Sequence, residues 1–196
     1  LENILNKKIK FFKKIKKNTP LLEIAESQAL DRINRRNNYD WVKDSFMNLK
    51  EKLSLSSLER IEAFDISHNQ GNQVTASCVS FTDSGPDKKN YRSMNITLEK
   101  NDDYLALSEA VRRRLKNLKE NKKAFPDLLV IDGGKGQLNS VVNEMKKNDF
   151  GTLNIISISK GPQRNEKYDE IHLSKHPFKL NIADLKGSSK LIQLIR

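Results

Sequence analysis

The sequence predicts an α/β fold, in which helices pack against a mixed β-sheet, and two stretches carry this prediction. Leu128–Ile131 is an uninterrupted apolar run, which is typical of a strand buried on both faces. Asp132 and a glycine-rich turn follow it directly, and then come apolar residues at helical spacing: Leu138, Val141, Val142 and Met145. The second stretch, Ile61–Ile66, is a short apolar strand that also carries an aspartate, Asp65, near its end.

The residues before this region, 1–57, are predicted to form a helical, lysine-rich lead-in. Lysines alternate with apolar and aromatic residues in the segment 7–17. This segment either tracks a phosphate backbone or forms a solvated arm whose apolar residues dock on the neighbouring domain. Thr19 and Pro20 mark a helix start, and apolar residues then recur at helical spacing. We expect the compact domain to run over residues 58–196.

The order of the later elements narrows the fold. A tight turn at residues 69–72 joins the first two strands into a hairpin. The predicted order is three strands, a helix, a strand, a helix, a strand, a small hairpin and a last helix, at about 61–66, 73–82, 91–98, 103–119, 128–131, 137–147, 153–158, 170–180 and from 188 onward. This is the order of the ribonuclease H-like fold. Right-handed crossovers then place the fourth strand parallel to the first, so Asp65 and Asp132 lie side by side.

Two converging carboxylates at this edge of the sheet indicate a site for a divalent cation. Open α/β sheets carry their chemistry at the carboxyl ends of the strands. Mg²⁺ and Mn²⁺ prefer oxygen ligands, and they catalyse phosphodiester cleavage by activating water and stabilising the leaving oxygen. Asp65 and Asp132 are therefore candidate metal ligands. The alternative for Asp132 is a helix cap.

The composition points to a polyanionic partner. The 196 residues include 36 Lys and Arg against 25 Asp and Glu, which gives a formal net charge of +11. Such an excess favours nucleic acid over a membrane surface. No run reaches transmembrane length and no signal-peptide pattern opens the chain, so we expect no membrane partner. The single cysteine, Cys78, excludes an internal disulfide and fits a reducing compartment.

Three polar motifs lie near the predicted carboxylate pair. The turn Gly133–Gln137 lacks the spacing of a P-loop or of a dinucleotide fingerprint. Either its amides approach a phosphate, with Lys135 adding charge, or its glycines only serve a tight turn. Asp102 and Asp103 open a predicted helix, where one caps and the other is free either to bind metal or to hold a metal ligand in place. His68 is either a polar turn residue or a proton shuttle near the metal.

Further basic residues are candidate DNA contacts. Arg112, Arg113 and Arg114 lie in succession on a predicted helix and so cover most of its circumference. This run is either a solvated face or a DNA-contacting face, and at least one of its members must point towards the sheet or its rim. We expect DNA binding by two arginines of the run and by three other residues: Arg112, Arg113, Lys135, Lys160 and Arg164.

Several separated motifs resemble the C-terminal endonuclease half of the UvrC family, the incision subunits of bacterial nucleotide excision repair. The matching segments are Phe64–His68, Asp102–Tyr104, Arg112–Arg114, Pro126–Leu138 and Ser159–Gly161, and they occur in the family's order. The resemblance implies a ribonuclease H-like fold, Mg²⁺ or Mn²⁺, and cleavage of the damaged strand on the 5′ side of a lesion.

The resemblance also assigns roles to residues. Asp65 and Asp132 fall on the family's catalytic aspartates, and Asp103 falls on a further carboxylate needed for the cut. His68 and Gln137 are auxiliary candidates. The family's remaining catalytic residue is a histidine just after the motif Leu-Ile-Gln-Leu-Ile-Arg, at which this chain stops. We therefore interpret the chain as a fragment with weak or no activity of its own.

The implied surroundings are the bacterial cytoplasm and the SOS response, with damaged double-stranded DNA and a UvrB–DNA pre-incision complex as partners. Two other functions stay open at this point. One is a catalytically inactive module that only binds DNA or a repair partner. The other is a transposase or resolvase of the same fold, although that class usually supplies a late carboxylate on its last helix and residues 188–196 contain none.

Overall fold

A mixed β-sheet forms the centre of the fold, and helices pack on both of its faces. The structure is a computed structural model that describes residues 27–28, 40–69, 73–97, 102–161, 169–174 and 179–196. Several sequence predictions lie outside these residues: the lysine-rich segment 7–17, the helix start at Thr19 and Pro20, the turn at 70–72, and Arg164. Among the helices that are described, none is long and apolar enough to cross a bilayer.

The described elements follow the predicted order closely. The helices are α1 (Asp40–Lys52), α2 (Asp103–Glu120), α3 (Lys135–Lys147) and α4 (Ser189–Ile195), with 3₁₀ turns at Lys88–Asn90 and Ile182–Ser188. The strands are β1 (Arg60–Asn69), β2 (Gln73–Thr82), β3 (Gly85–Pro86), β4 (Arg92–Ile96), β5 (Leu128–Asp132), β6 (Asn154–Ser159), β7 (Glu170–Leu173) and β8 (Lys179–Asn181). The short strand β3 was not predicted. It forms because Gly85 adopts a left-handed φ of 105° and returns the chain to β2.

The sheet joins an antiparallel part to a parallel centre. Its strand order is β3-β2-β1-β5-β6-β7-β8, and β4 also pairs with β2. β1 is antiparallel to β2 and parallel to β5, while β5 is parallel to β6. β7 and β8 extend the sheet as antiparallel strands. The predicted mixed sheet is thus confirmed, and so is the parallel pairing of the strand that carries Asp65 with the strand that carries Asp132.

Apolar side chains on the two faces of the sheet form two separate cores. Ala63 and Val130 point to one face, and Phe64 and Ile131 to the other, since successive side chains of a strand alternate. Helices α1 and α4 pack on the first face, and α2 and α3 pack on the second. These are called the α1/α4 face and the α2/α3 face below.

Helix α1 is part of the same compact unit as the sheet. Val42, Phe46 and Leu49 on its apolar side are buried in the core of the α1/α4 face. The unit accordingly runs over Tyr39–Arg196. The domain start expected near Leu58 lies inside this unit. The sequence did not indicate an earlier start, because helical spacing alone does not show whether an amphipathic helix packs on the sheet that follows it.

Asp127 ties the amino ends of β1 and β5 together. Its carboxylate accepts hydrogen bonds from Ser57 Oγ at 2.7 Å and from the amides of Glu59 and Arg60, both at 2.9 Å. Its own amide donates to the carbonyl of Arg60 at 2.9 Å. Burial raises the pKa of this carboxyl, but the hydrogen bonds outweigh burial and hold the pKa below its ordinary value.

Candidate active site

Asp65 and Asp132 occupy neighbouring positions on β1 and β5. The parallel register pairs Phe64 with Ile131, so the two aspartates are the next residues on their strands. Both are half-buried, and both line a cleft of about 130 Å³ on the α1/α4 face, together with Ala63, Val130, Ile195 and Arg196. The structure therefore brings together the two carboxylates that the sequence predicted to converge.

Each of these carboxylates has a hydrogen-bond donor beside it. Ser67 lies on the same side of β1 as Asp65, and its hydroxyl donates to Oδ2 of Asp65 at 3.3 Å. Arg196 follows α4 and donates from Nε to Oδ1 of Asp132 at 2.8 Å. The same guanidinium also donates from Nη1 to the buried Asp169. The cleft thus contains a fixed positive charge next to its acidic pair.

The turn after β5 sets the position of Asp132 and begins α3. The amide of Gly133 donates to the carbonyl of Ile158 at 2.8 Å, which ties the turn to β6. The amide of Gly134 donates to Oε1 of Gln137 at 3.0 Å, so the Gln137 side chain caps the helix. A Cβ atom at Gly133 would lie 1.9 Å from that oxygen and would displace the cap. Gln137, expected as an auxiliary site residue, has this structural role.

Asp103 contacts His68 on the opposite side of the sheet from the acidic pair. Nε2 of His68 lies 2.6 Å from Oδ1 of Asp103. His68 stands three residues after Asp65 on β1 and therefore points to the α2/α3 face. Asp102 is the helix cap, since it accepts from the amides at the second and third positions of α2 at 2.8 and 3.2 Å. In the described part of the chain, no group of three His, Cys, Asp or Glu side chains is arranged to hold a metal ion.

The arginines of α2 are engaged by acidic residues of the protein. Arg112 donates to both oxygens of Glu109 at 2.8 and 2.7 Å, and Arg113 donates to Glu109 at 2.6 Å. The hydrogen bond from Arg112 is the largest cause of the lowered pKa of Glu109. Arg114 is buried, and it donates to both oxygens of Glu62 at 2.9 and 2.6 Å. Arg114 is thus the member that points to the sheet, while Glu109 partly compensates the charges of Arg112 and Arg113.

Two of the predicted DNA contacts are exposed at the sheet edge that carries Asp132. Lys135 is the first residue of α3, three residues after Asp132. Lys160 follows β6, and it lies at the same edge because Asp132 pairs with Ile158 on that strand. Their ammonium groups are available to a polyanion that approaches this edge.

Comparison with known proteins decides the family. Residues 50–196 match the family model described as the UvrC RNase H endonuclease domain. The chain belongs to this family. Both the resemblance to UvrC and the ribonuclease H-like fold expected from the element order are thereby confirmed.

The relatives of this chain are UvrC proteins several times its length. UvrABC system protein C of Nitrosococcus oceani is 39% identical over 153 residues, which are 77% of this chain and 25% of that protein. The same protein from Pseudomonas putida is 35% identical over 179 residues, which are 89% of this chain and 29% of that protein. The chain therefore spans about a quarter of the length of the curated relatives it matches. Among solved structures, one match is endonuclease V of Ciona intestinalis in complex with inosine-containing DNA, at 16% identity and a TM-score of 0.42 over 67% of this chain and 59% of that chain.

Sequence reasoning missed Asp169 and Arg196 in this UvrC-family domain. Asp169 precedes β7 in a polar stretch without periodicity, so its burial leaves no sequence signal. Arg196 follows the apolar residues of α4. Its position could have been anticipated only by knowing that α4 packs on the same face as Asp132.

Proposed function

We propose that this chain is the metal-dependent endonuclease module of a UvrC-type excision nuclease and that it makes the 5′ incision beside a DNA lesion. The observation that carries this proposal is the single cleft shared by Asp65 and Asp132 on neighbouring parallel strands. The endonuclease character of the family supports it. The proposed partners are damaged double-stranded DNA and a UvrB–DNA pre-incision complex in the bacterial cytoplasm, within the SOS response.

The donor set of the cleft fits Mg²⁺ or Mn²⁺. Asp65 and Asp132 present carboxylates side by side, and Mg²⁺ commonly binds proteins through one or two carboxylates plus water and substrate phosphate. Such an ion, when bound, supplies an activated water and stabilises the leaving oxygen. Arg196 engages Oδ1 of Asp132, and no other described side chain engages this carboxylate. The second oxygen of Asp132 and Oδ1 of Asp65, whose other oxygen accepts from Ser67, therefore remain for the ion.

The other residues of the chain bind and orient in this proposal. Ser67 holds one oxygen of Asp65 by its hydrogen bond. Lys135 and Lys160 bind backbone phosphates at the carboxyl edge of the sheet, where each neutralises one charge. Arg112 and Arg113 on α2, and Arg164 outside the described residues, are proposed as secondary DNA contacts.

Asp103 and His68 are the remaining members of the proposed set. Their side chains are hydrogen-bonded, with 2.6 Å between Nε2 of His68 and Oδ1 of Asp103. Because they lie on the α2/α3 face, away from the cleft, we assign them to contacts with the DNA strand, and not to the ion shared by Asp65 and Asp132.

A second candidate function is a module that binds DNA or a repair partner without cutting. The observation in its favour is the ion pair between Arg196 and Asp132, which partly neutralises the carboxylate that an ion would need. In a catalytic centre, Arg196 would share the Asp132 carboxylate with the metal ion. In a disabled centre, Arg196 would block the ion from this carboxylate.

A chimera tests these two functions directly. Residues 50–196 replace the matching region of the Nitrosococcus oceani UvrABC system protein C, and incision of a lesion-containing duplex is measured with UvrB and Mg²⁺ or Mn²⁺. We expect a 5′ product that disappears in Asp65→Asn and in Asp132→Asn and persists in the control Asp149→Asn, an exposed residue after α3. A chimera that binds DNA without cutting would favour the second function. Cutting that survives both site substitutions would contradict the proposed metal site.

A further inference from the structure

We infer that Asp169 is a positioning residue, which holds Arg196 in the one orientation that leaves Asp132 able to bind a cation. This inference rests on the proposed metal site and deepens it. It explains how a guanidinium and a divalent cation share one carboxylate.

Asp169 is a rigid anchor. Its side chain is 4% exposed, and its Oδ1 accepts from the amide of Gly161 at 3.0 Å. Its backbone carbonyl accepts from the amide of Ile182 at 3.0 Å, so both its main chain and its side chain are fixed. A buried carboxylate is stable only when it is paired and hydrogen-bonded. Arg196 supplies the missing positive charge through Nη1.

The anchor determines which atoms of Arg196 reach Asp132. A guanidinium is planar, so its donors cannot move independently of one another. With Nη1 held by Asp169, Nε donates to Oδ1 of Asp132 at 2.8 Å, and Nη2 makes no hydrogen bond to this carboxylate. An unanchored guanidinium prefers two parallel hydrogen bonds to a carboxylate. Such a bidentate pair would occupy both oxygens of Asp132 and exclude a cation.

The charge of Asp169 favours cation binding at Asp132, as its position does. Arg196 divides one positive charge between Asp132 and Asp169. Without the Asp169 carboxylate, the whole charge of Arg196 faces Asp132 and repels an incoming cation. Both effects predict that loss of Asp169 weakens cation binding, although Asp169 is not a ligand.

The test is a Mn²⁺ titration of the 196-residue chain, with free Mn²⁺ followed by electron paramagnetic resonance and folding followed by thermal unfolding. We expect Asp169→Asn to raise the Kd for Mn²⁺ by about tenfold or more, the factor for breaking a charge-assisted hydrogen bond before binding. The double variant Asp169→Asn/Arg196→Gln should restore the wild-type Kd, because no guanidinium then competes. The control Asp184→Asn, an exposed acid before α4, should leave the Kd unchanged.

The rescue separates positioning from structural support. If Asp169 only stabilised the fold, the double variant would bind Mn²⁺ no better than the single one, and that result would overturn the inference. A wild-type Kd in folded Asp169→Asn would overturn it as well. If Asp169→Asn does not fold, Asp169→Glu decides, because it keeps the charge and displaces the carboxylate by one methylene. A wild-type Kd for Mn²⁺ in folded Asp169→Glu would overturn the inference. An unsubstituted chain that binds no Mn²⁺ would remove the proposed metal site itself, together with this inference.

Discussion

Glu62 and Arg114 form an ion pair that is closed off from solvent between β1 and α2. Their side chains are 0% and 2% exposed, and both oxygens of the Glu62 carboxylate receive a guanidinium N–H. Cys78 Sγ lies 3.6 Å from the same carboxylate. Burial, reinforced by the negative charge of Glu62, raises the pKa of the Cys78 thiol, so this thiol stays protonated and unreactive.

Removal of Arg114 should therefore destabilise the domain strongly. Arg114→Ala leaves the buried Glu62 carboxylate charged and without its two guanidinium hydrogen bonds, with only Arg60 Nε at 3.6 Å beside it, which costs about 3–5 kcal/mol. Arg113→Ala is the matched control, since this neighbour is 43% exposed and its loss costs about 1 kcal/mol or less. Urea unfolding followed by circular dichroism measures both. Equal losses in the two variants would contradict a buried ion pair.

Asp127 should make the stability of the domain depend on pH in the acid range. Its folded-state pKa lies below the ordinary value of 3.8, so its contribution is complete above that pH and is lost as the pH falls through the folded-state pKa. Asp127→Asn should cost about 1–2 kcal/mol at neutral pH, because hydrogen bonds to a charged group weaken with partial exposure.

The difference between wild type and Asp127→Asn should shrink as the pH is lowered below about 4. Thermal unfolding across a pH series measures this difference. The control Asp44→Asn, exposed on α1, should show a small difference at every pH. A stability difference between wild type and Asp127→Asn that grows as the pH falls would contradict a lowered folded-state pKa of Asp127.

The glycines of the turn after β5 should respond unequally to alanine. Gly133→Ala places a Cβ atom 1.9 Å from Oε1 of Gln137 and removes the helix cap, at a cost of about 0.5–2 kcal/mol. Gly134→Ala meets no heavy atom within 4 Å and has a φ of −89°, which alanine adopts readily, so it should cost less. Thermal unfolding ranks the two variants. In a Gln137→Ala background the penalty of Gly133→Ala should largely disappear, and a penalty that persists there would rule out loss of the cap as the cause.

Lys135 and Lys160 should account for part of the salt dependence of DNA binding. Each phosphate contact contributes about 0.9 to the slope of log K against log salt concentration. The double variant Lys135→Ala/Lys160→Ala should therefore lower that slope by up to about 1.8, with little change in sequence preference. Affinity for a bubble duplex across a salt series measures it. The control Lys123→Ala/Lys147→Ala removes two exposed lysines that lie outside the carboxyl edge of the sheet, and it should leave the slope almost unchanged. An equal decrease of the slope in the control would show that the excess positive charge of the whole surface, and not these two lysines, binds the DNA.

The approach of Asp65 and Asp132 was predictable from the sequence because it depends on local patterns and one topological rule. The apolar runs before Asp132 and around Asp65 define strands, and the handedness of crossovers places those strands in parallel contact. The roles of the arginine run were not predictable at that level. Arg112, Arg113 and Arg114 share one residue type and one helix, and only the packing of α2 against β1 buries the third member.

The contacts of Asp169 were beyond sequence reasoning for a different reason. Asp169 and Arg196 meet through elements far apart in the chain, and neither lies in a periodic pattern. The position of Asp103 likewise depends on the alternation of side chains along β1, which sends His68 to the opposite face from Asp65. Motif spacing identified Asp103 and His68 as polar residues of interest, but it did not show which face of the sheet they occupy.

The hydrogen bonds of Asp127 have a consequence for the far end of the two strands that they join. A slip of one residue between β1 and β5 would invert the sidedness of one strand, so Asp65 and Asp132 would end on opposite surfaces of the sheet. Asp127 accepts from the amide of Arg60 and donates to its carbonyl, one position before the first pair of this ladder, Ile61 and Leu128. Such a slip would break both hydrogen bonds. An acid remote from the cleft thus stabilises the one register in which the two acids of the cleft lie on the same face of the sheet.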